Sequence, residues 1–128
     1  MGQYRLAIAT NGPSDVQRAK LRSSGLERYF PVVIVSEEIG SGKPEVEMFR
    51  IALDRLAVGA DEAIVVGDSH ERDIVGARDA GITSILVDRG APQSQGTPRA
   101  DRTIASLTDL PSAIAELSSA RPMPRPRV

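Results

Sequence analysis

The chain has 128 residues, of which 41% are apolar and 26% charged, a composition typical of one globular domain. Its 16 basic and 17 acidic residues nearly cancel, and it has two tyrosines, two phenylalanines and no tryptophan, which argues against nucleic-acid binding. The apolar runs are too short to cross a membrane, and the absence of cysteine excludes disulfides and thiolate metal sites and fits a reducing cytoplasm.

Short apolar runs alternate with helical patterns along the first half of the chain. Val32–Val35 is β-branched or aliphatic throughout, which is typical of a buried strand, whereas two glycines and a proline break the segment that follows it. Glycines at positions 25 and 59 suit the ends of helices. The elements predicted here are a strand over residues 6–9, a helix over 13–23, a strand over 32–35, a loop over 36–44 and a helix over 45–57.

The second half repeats the same alternation. Gly81 suits the end of a helix, and the last eight residues alternate proline with arginine, which predicts a disordered tail at 121–128 after a core of residues 1–120. The predicted elements are a strand over 63–66, a helix over 69–80, a strand over 83–87, a polar loop over 91–99, a short edge strand over 103–105 and a helix over 107–117.

This order of elements predicts an α/β fold. Strand and helix alternate four times at the spacing of βαβ units, which favours a mostly parallel sheet with helices on both faces. In such sheets the functional groups gather beyond the carboxyl ends of the strands. The residues that end each strand are therefore the candidates for a functional site.

Two of these strand ends suggest an anion site. Thr10, Asn11 and Gly12 offer a hydroxyl and backbone N–H groups just before a predicted helix, an arrangement that can hold an anion, although the same residues also form an ordinary turn. Lys43 lies behind a glycine-containing loop and supplies a positive charge, unless it is simply a solvated loop lysine.

A third strand end carries carboxylates. Asp68 follows the predicted strand at 63–66, and Asp73 lies five residues later, so the two offer oxygen ligands of the kind that suit Mg²⁺. Alternatively, Asp68 caps the next helix and Asp73 only complements its N-terminus. An anion pocket, a lysine and carboxylates on one sheet edge together indicate phosphoryl transfer.

Two further features carry less weight. Residues 40–43 look like part of a nucleotide-binding loop, but Glu37 stands where that motif needs its first glycine, and Pro44 stands where it needs serine or threonine. His70 lies beside Asp68 and is either a proton shuttle or a solvated residue in the first turn of a helix.

Three segments resemble motifs of the haloacid dehalogenase (HAD) superfamily. Residues 9–12 (ATNG) resemble its second motif, residues 42–49 (GKPEVEMF) its third, and residues 65–81 its fourth, acidic motif. The resemblance extends from about residue 6 to residue 110 and is to members of the phosphoglycolate phosphatase and β-phosphoglucomutase type. The resemblance implies a Rossmann-like three-layer sandwich and a Mg²⁺-dependent phosphatase that acts on a small phosphorylated metabolite.

The resemblance also implies a role for each matching residue. Thr10 would hydrogen-bond the phosphoryl group, helped by the backbone N–H of Asn11. Lys43 would neutralise the phosphoryl oxygens and the nucleophilic carboxylate. Asp68 would be a Mg²⁺ ligand, and Asp73 would support the metal site through water or a hydrogen bond.

The first motif of the family, Asp-x-Asp, occurs nowhere in this sequence. In the family its first aspartate attacks phosphorus and its second is the general acid and base. We therefore expect the strand that carries it, and the cap domain that largely sets substrate choice, to lie outside this sequence, so that the chain alone is inactive. The substrate is not readable from the sequence.

In the family, the strand that carries the first motif lies between the strands that carry the second and fourth motifs, so the resemblance implies a gap at that place. Three arrangements are then open: the sheet closes by pairing residues 6–9 with 63–66, a second copy or partner chain supplies the strand, or the chain folds only partly. The alternative to an enzyme part is a non-catalytic module that binds a partner or dimerises through the open sheet edge.

Overall fold

The computed structural model describes residues 4–88 and 99–120. Within these residues, short turns of 3₁₀-helix precede β2, β3 and α5, and one turn of π-helix, His70–Ile74, leads into α4. The strands are β1 (Ala7–Thr10), β2 (Val32–Val35), β3 (Ile64–Gly67), β4 (Thr83–Val87) and β5 (Arg102–Ile104). The helices are α1 (Ser14–Ser24), α2 (Ser36–Ile39), α3 (Val46–Leu56), α4 (Val75–Asp79) and α5 (Leu110–Ala120).

The described strands form two separate parallel sheets. One sheet consists of β1 and β2, and the other has the order β3-β4-β5. Ala7 pairs with Val32 in the first sheet, and Ile64 pairs with Thr83 in the second. The predicted α/β class with parallel strands is confirmed, whereas the arrangement in which β1 pairs directly with β3 is wrong for the described residues.

Helices cover both faces of the larger sheet. Side chains of adjacent strand residues point to opposite faces, so Ile64 and Val65 mark the two sides of β3. Ile64 contacts a core in which β4 and β5 pack on α5, and Val65 contacts a core between α3, α4 and the start of β4. The first core contains Ile85, Val87, Ile104, Ala113 and Leu117, and the second contains Phe49, Ala77 and Ile82.

Four predicted loops and helices differ from the structure. The helix predicted over 107–117 begins as a 3₁₀ turn, Leu107–Asp109, and continues as α5 to Ala120. The predicted loop at 36–44 contains one helical turn, α2, which ends at Gly40 with a φ of 75°. Helix α3 is capped by Ala57, which adopts a left-handed φ of 60°, whereas Gly59, the predicted closing residue, has a φ of −87°. The helix predicted over 69–80 begins as a π turn. Most of the loop predicted at 91–99 and the tail at 121–128 lie outside the described residues.

None of the helices in the described part of the chain is both long and apolar enough to span a bilayer.

Candidate functional site

The turn after β1 is joined to the loop that carries Lys43. The Asn11 side chain donates from Nδ2 to the Lys43 carbonyl oxygen at 3.0 Å and accepts the Lys43 backbone N–H on Oδ1 at 2.9 Å. A Cβ atom at Gly42 would lie 2.9 Å from Asn11 Oδ1, so glycine allows this close approach. Because the Asn11 side chain hydrogen-bonds both the backbone N–H and the backbone C=O of Lys43, it fixes the lysine backbone relative to the end of β1.

Lys43 then reaches across to the end of β3. Its Nζ lies 2.7 Å from Asp73 Oδ1, and the two side chains are only 16% and 7% exposed. The second carboxylate oxygen of Asp73 accepts the Ser69 backbone N–H at 3.1 Å. A buried carboxylate with both oxygens engaged and a lysine as partner is electrostatically compensated, so this ion pair connects the ends of the two sheets.

The π turn and a glycine bring Asp73 to this position. Ser69 begins the turn by accepting the Arg72 N–H on its hydroxyl, and its carbonyl accepts the Asp73 N–H at 2.8 Å. A Cβ atom at Gly67 would collide with the Asp73 carboxylate. Only glycine at the end of β3 therefore leaves room for Asp73, and single π turns are frequent at functional sites.

A cavity of about 270 Å³ opens at this edge of the sheet. Lys43, Asp68 and Asp73 supply its charged lining, and Val87 and Leu107 supply part of its apolar wall. Among the described residues, no three acidic or histidine side chains gather closely enough to hold a metal ion by themselves. The cavity thus offers one cation and two carboxylates to a small polar ligand.

The other predicted site residues lie beside this cavity rather than in its lining. The Thr10 hydroxyl donates to the Asn11 carbonyl oxygen at 3.4 Å. The Gly12 N–H donates to Ser36 Oγ at 2.9 Å, so an anion at that amide would have to replace Ser36. The structure therefore brings Lys43, Asp68 and Asp73 together and links the turn after β1 to them through the Asn11 side chain.

Sequence reasoning assigned no role to three residues of this arrangement: Ser36, Gly67 and Ser69. Ser36 and Gly67 both lie at strand ends, where functional residues were expected. The hydrogen bond from the Gly12 N–H to Ser36 Oγ joins residues 24 positions apart, and such a contact leaves no pattern in the sequence. A serine directly before a helical pattern is a capping signal, and Ser69 could have been found from it.

A much larger opening, the inter-sheet cleft, lies between β1 and β3 and has a volume of about 840 Å³. Residues 6–9 and 63–66 line its two sides, and Lys43 and Asp73 lie where it meets the smaller cavity. Helix α3 and the beginning of α5 supply its other apolar surfaces. These include Phe49, Ala52, Leu53, Leu56, Leu107, Leu110 and Ile114.

Comparison with known proteins matches residues 1–87 to the model of a family described as haloacid dehalogenase-like hydrolase. A phosphoserine phosphatase of Thermus thermophilus is 40% identical over 105 residues, which are 82% of this chain and 42% of that protein. A ribulose-1,5-bisphosphate 5-phosphatase of Halopiger xanaduensis is 40% identical over 119 residues, covering 84% of this chain and 49% of that protein.

Among solved structures, magnesium-bound YfnB of Bacillus subtilis superposes with a TM-score of 0.81 at 31% identity, over 86% of this chain and 49% of that one. The chain spans about half the length of the curated relatives it matches.

Proposed function

The chain belongs to the haloacid dehalogenase-like hydrolase family, and we propose that it forms the lysine- and metal-binding half of a Mg²⁺-dependent phosphatase site. The observation that carries the proposal is the cavity in which Lys43, Asp68 and Asp73 converge beyond the ends of the strands. A phosphate group there would meet a lysine ammonium from one sheet and carboxylates suited to a hard cation from the other.

Each residue has a defined task in this proposal. Lys43 neutralises phosphoryl oxygens and Thr10 hydrogen-bonds them, helped by the backbone N–H of Asn11. The Gly12 N–H would join these contacts by exchanging its hydrogen bond to Ser36 Oγ for one to the phosphate. Asp73 holds the Lys43 ammonium in place through the 2.7 Å ion pair. Asp68 lines the same cavity and serves as the metal ligand.

The donor set fits Mg²⁺. This ion usually binds to one or two carboxylates and takes its remaining oxygen ligands from water and substrate phosphate. Asp68 would be the direct carboxylate ligand, and Asp73, whose oxygens contact Lys43 and Ser69, would support the site through water or a hydrogen bond. When bound, Mg²⁺ would supply positive charge that offsets the charge of the phosphate.

The nucleophile has to come from outside this sequence, which contains no Asp-x-Asp. A carboxylate oxygen of that motif attacks phosphorus, the ester P–O bond breaks, and the alcohol leaves with a proton from the second aspartate. Water then hydrolyses the aspartyl phosphate, which releases inorganic phosphate and restores the carboxylate. The chain alone is therefore inactive.

The substrate is a small phosphate ester. The two relatives named above are a phosphoserine phosphatase and a ribulose-1,5-bisphosphate 5-phosphatase, which share the phosphate ester and differ in the rest of the substrate. We propose the same substrate class in the cytoplasm, with no nucleic-acid or membrane partner, and leave the discrimination between substrates to segments outside this chain.

A second candidate function is a non-catalytic module that binds a partner or a second copy. The division of the described strands into two sheets favours it, because within the described part of the chain β1 and β3 each keep one edge available for pairing.

Calorimetric titration of the chain with Mg²⁺ and inorganic phosphate, together with an aryl phosphate hydrolysis assay, tests the proposal. We expect Mg²⁺-dependent phosphate binding that Asp68→Asn weakens by on the order of tenfold or more, since the substitution removes a ligand charge. Asp54→Asn, on the exposed side of α3, removes the same charge away from the cavity and should bind like the wild type.

Hydrolysis by the wild-type chain should equal that of Asp68→Asn. If the wild type hydrolyses the ester and Asp68→Asn does not, the chain holds a nucleophile of its own and is not inactive. If the wild type binds neither Mg²⁺ nor phosphate, the phosphatase proposal is wrong and the binding module remains.

A further inference from the structure

The backbone carbonyl of Asn11, in the turn after β1, accepts hydrogen bonds from two side chains. The Thr10 hydroxyl donates to its oxygen at 3.4 Å, and the Gln17 side chain donates to the same oxygen from Nε2 at 3.0 Å. Hydroxyl donors usually lie about 2.7–2.8 Å from their acceptors, so the bond from Thr10 is a long one. Gln17 is therefore the stronger partner of this carbonyl.

Helix α1 and Gly12 together bring Gln17 to this position. Gln17 lies one turn into α1, where its backbone N–H donates to the Pro13 carbonyl oxygen at 3.1 Å. Gly12 has a φ of 131°, which favours glycine, and a Cβ atom there would lie 2.6 Å from Gln17 Nε2. The absence of a side chain at Gly12 thus leaves room for the Gln17 amide beside the turn.

The peptide group between Asn11 and Gly12 is held at its other end by Ser36. The Gly12 N–H donates to Ser36 Oγ at 2.9 Å, while the carbonyl of the same peptide accepts from Gln17 at 3.0 Å. Both ends of this peptide therefore have a partner other than Thr10. Its orientation does not depend on the Thr10 hydroxyl.

The Thr10 hydroxyl has a single proton and can donate it to one acceptor at a time. In the structure the acceptor is the Asn11 carbonyl, whereas the proposed function requires the hydroxyl at a phosphoryl oxygen. Without Gln17, that change would take away the remaining side-chain donor of a half-buried carbonyl, and an acceptor left unpaired is unfavourable. With Gln17 in place, the carbonyl stays paired when the hydroxyl turns to phosphate.

We infer that Gln17 is a positioning residue of the phosphate site, which frees the Thr10 hydroxyl by pairing the Asn11 carbonyl. The inference rests on the proposed function, because Thr10 is the residue that contacts phosphate there. It adds a residue of α1 that acts without touching the phosphate itself. Since Gln17 acts through Thr10, its contribution to phosphate binding should disappear when the hydroxyl is removed.

Calorimetric titration of the full chain with inorganic phosphate, in the presence of Mg²⁺, tests the inference. Gln17→Met keeps the length of the side chain and removes its donor, so we expect phosphate binding to weaken by about tenfold. Gln17→Asn keeps the amide on a shorter side chain and should weaken binding to a similar extent. Val16→Met places the same side chain at the neighbouring position of α1, which is 44% exposed, and should leave binding unchanged.

A double-mutant cycle with Thr10 distinguishes positioning from a general effect on the turn. Thr10→Val keeps the shape of the side chain, removes the hydroxyl and should itself weaken phosphate binding. In that background Gln17→Met should change the affinity by about twofold or less, because no hydroxyl remains to be freed. A residue that only maintained the shape of the turn would weaken binding by the same factor in both backgrounds.

The outcomes separate this inference from the proposed function. Circular dichroism establishes that each variant is folded, and a loss of binding that Gln17→Met causes only in the presence of the Thr10 hydroxyl supports the inference. Unchanged binding by Gln17→Met, an equal loss in both backgrounds, or wild-type affinity in Thr10→Val overturns it. If the wild-type chain binds no phosphate with Mg²⁺, the proposed function is wrong and the inference is wrong with it.

Discussion

Asp73 is the buried carboxylate that holds the end of β3 in its observed arrangement. Its oxygens face Lys43 Nζ and the Ser69 N–H. We expect Asp73→Asn to lower the free energy of unfolding by about 2 kcal/mol, because the amide keeps the shape but leaves the ammonium without its partner charge. The expected loss of stability is smaller than for a fully buried ion pair, since the Lys43 side chain is partly exposed. Urea unfolding followed by circular dichroism measures the change.

Asp79→Asn is the matched control for this prediction. Asp79 lies on the exposed side of α4, so the same loss of charge should change the free energy of unfolding by less than about 0.5 kcal/mol. Equal effects of the two substitutions would mean that the Lys43–Asp73 ion pair adds nothing to stability, and that the position of the lysine is set by the Asn11 clamp alone.

Glu38 joins helices α1 and α2. It accepts hydrogen bonds from Arg18 Nε and Nη2, both at 2.7 Å, and from the Ser14 hydroxyl. These bonds, chiefly that from Arg18, lower the pKa of the Glu38 carboxyl from 4.5 to about 2. Since the pKa is lower in the folded state, the stabilisation is fully present above pH 4.5 and is lost as the pH falls through about 2.

Glu38→Gln makes this dependence measurable. We expect the stability advantage of the wild type over Glu38→Gln to shrink as the pH falls from 4.5 to about 2, as measured by urea unfolding at several pH values. In an Arg18→Gln background the same comparison should vary less with pH, because the principal hydrogen-bond donor is gone. An advantage that stays constant over this range would show that Glu38 does not link the helices.

At the scale of elements, hydrophobic periodicity accounts for most of the fold. The bounds of β2 and β4 are as predicted, and those of β1, β3 and β5 are shifted by one residue. Helix α2 was missed because a single turn shows no apolar period, and contacts of Glu37 and Glu38 with Ser14 hold it. The helix predicted over 45–57 agrees with α3 to within one residue at each end, but its left-handed cap is Ala57 and not Gly59, because Ala57 takes the conformation that the sequence rules assign to glycine.

The candidate site was less predictable than the elements. The types of residue at the strand ends indicated an anion and a cation site, but a role was predicted for the backbone N–H of Asn11 and none for its side chain. Its clamp on Lys43 joins residues 32 positions apart, and the order of residues carries no signal of such a contact. Gly67 likewise has a steric role only because the π turn brings Asp73 back to it.

At the scale of the whole molecule, the cleft divides the structure into parts of unequal burial. All five residues of β4 are buried, and this strand pairs on both sides and packs on helices at both faces. No residue of β1 is fully buried, and its inner edge borders the cleft. Local opening requires the least free energy where few apolar contacts are broken, so the smaller sheet should open before the larger one.

Native-state hydrogen exchange tests this order. We expect amides of β4 to exchange only through global unfolding, with a urea dependence equal to that of the whole molecule, and amides of β1 to exchange at least about tenfold faster with a weaker urea dependence. The comparison needs no ligand, since it depends only on burial and strand pairing. Equal exchange free energies in the two strands would mean that contacts of α3 with β1, β2 and α4 couple the two sheets into one cooperative unit despite the open cleft.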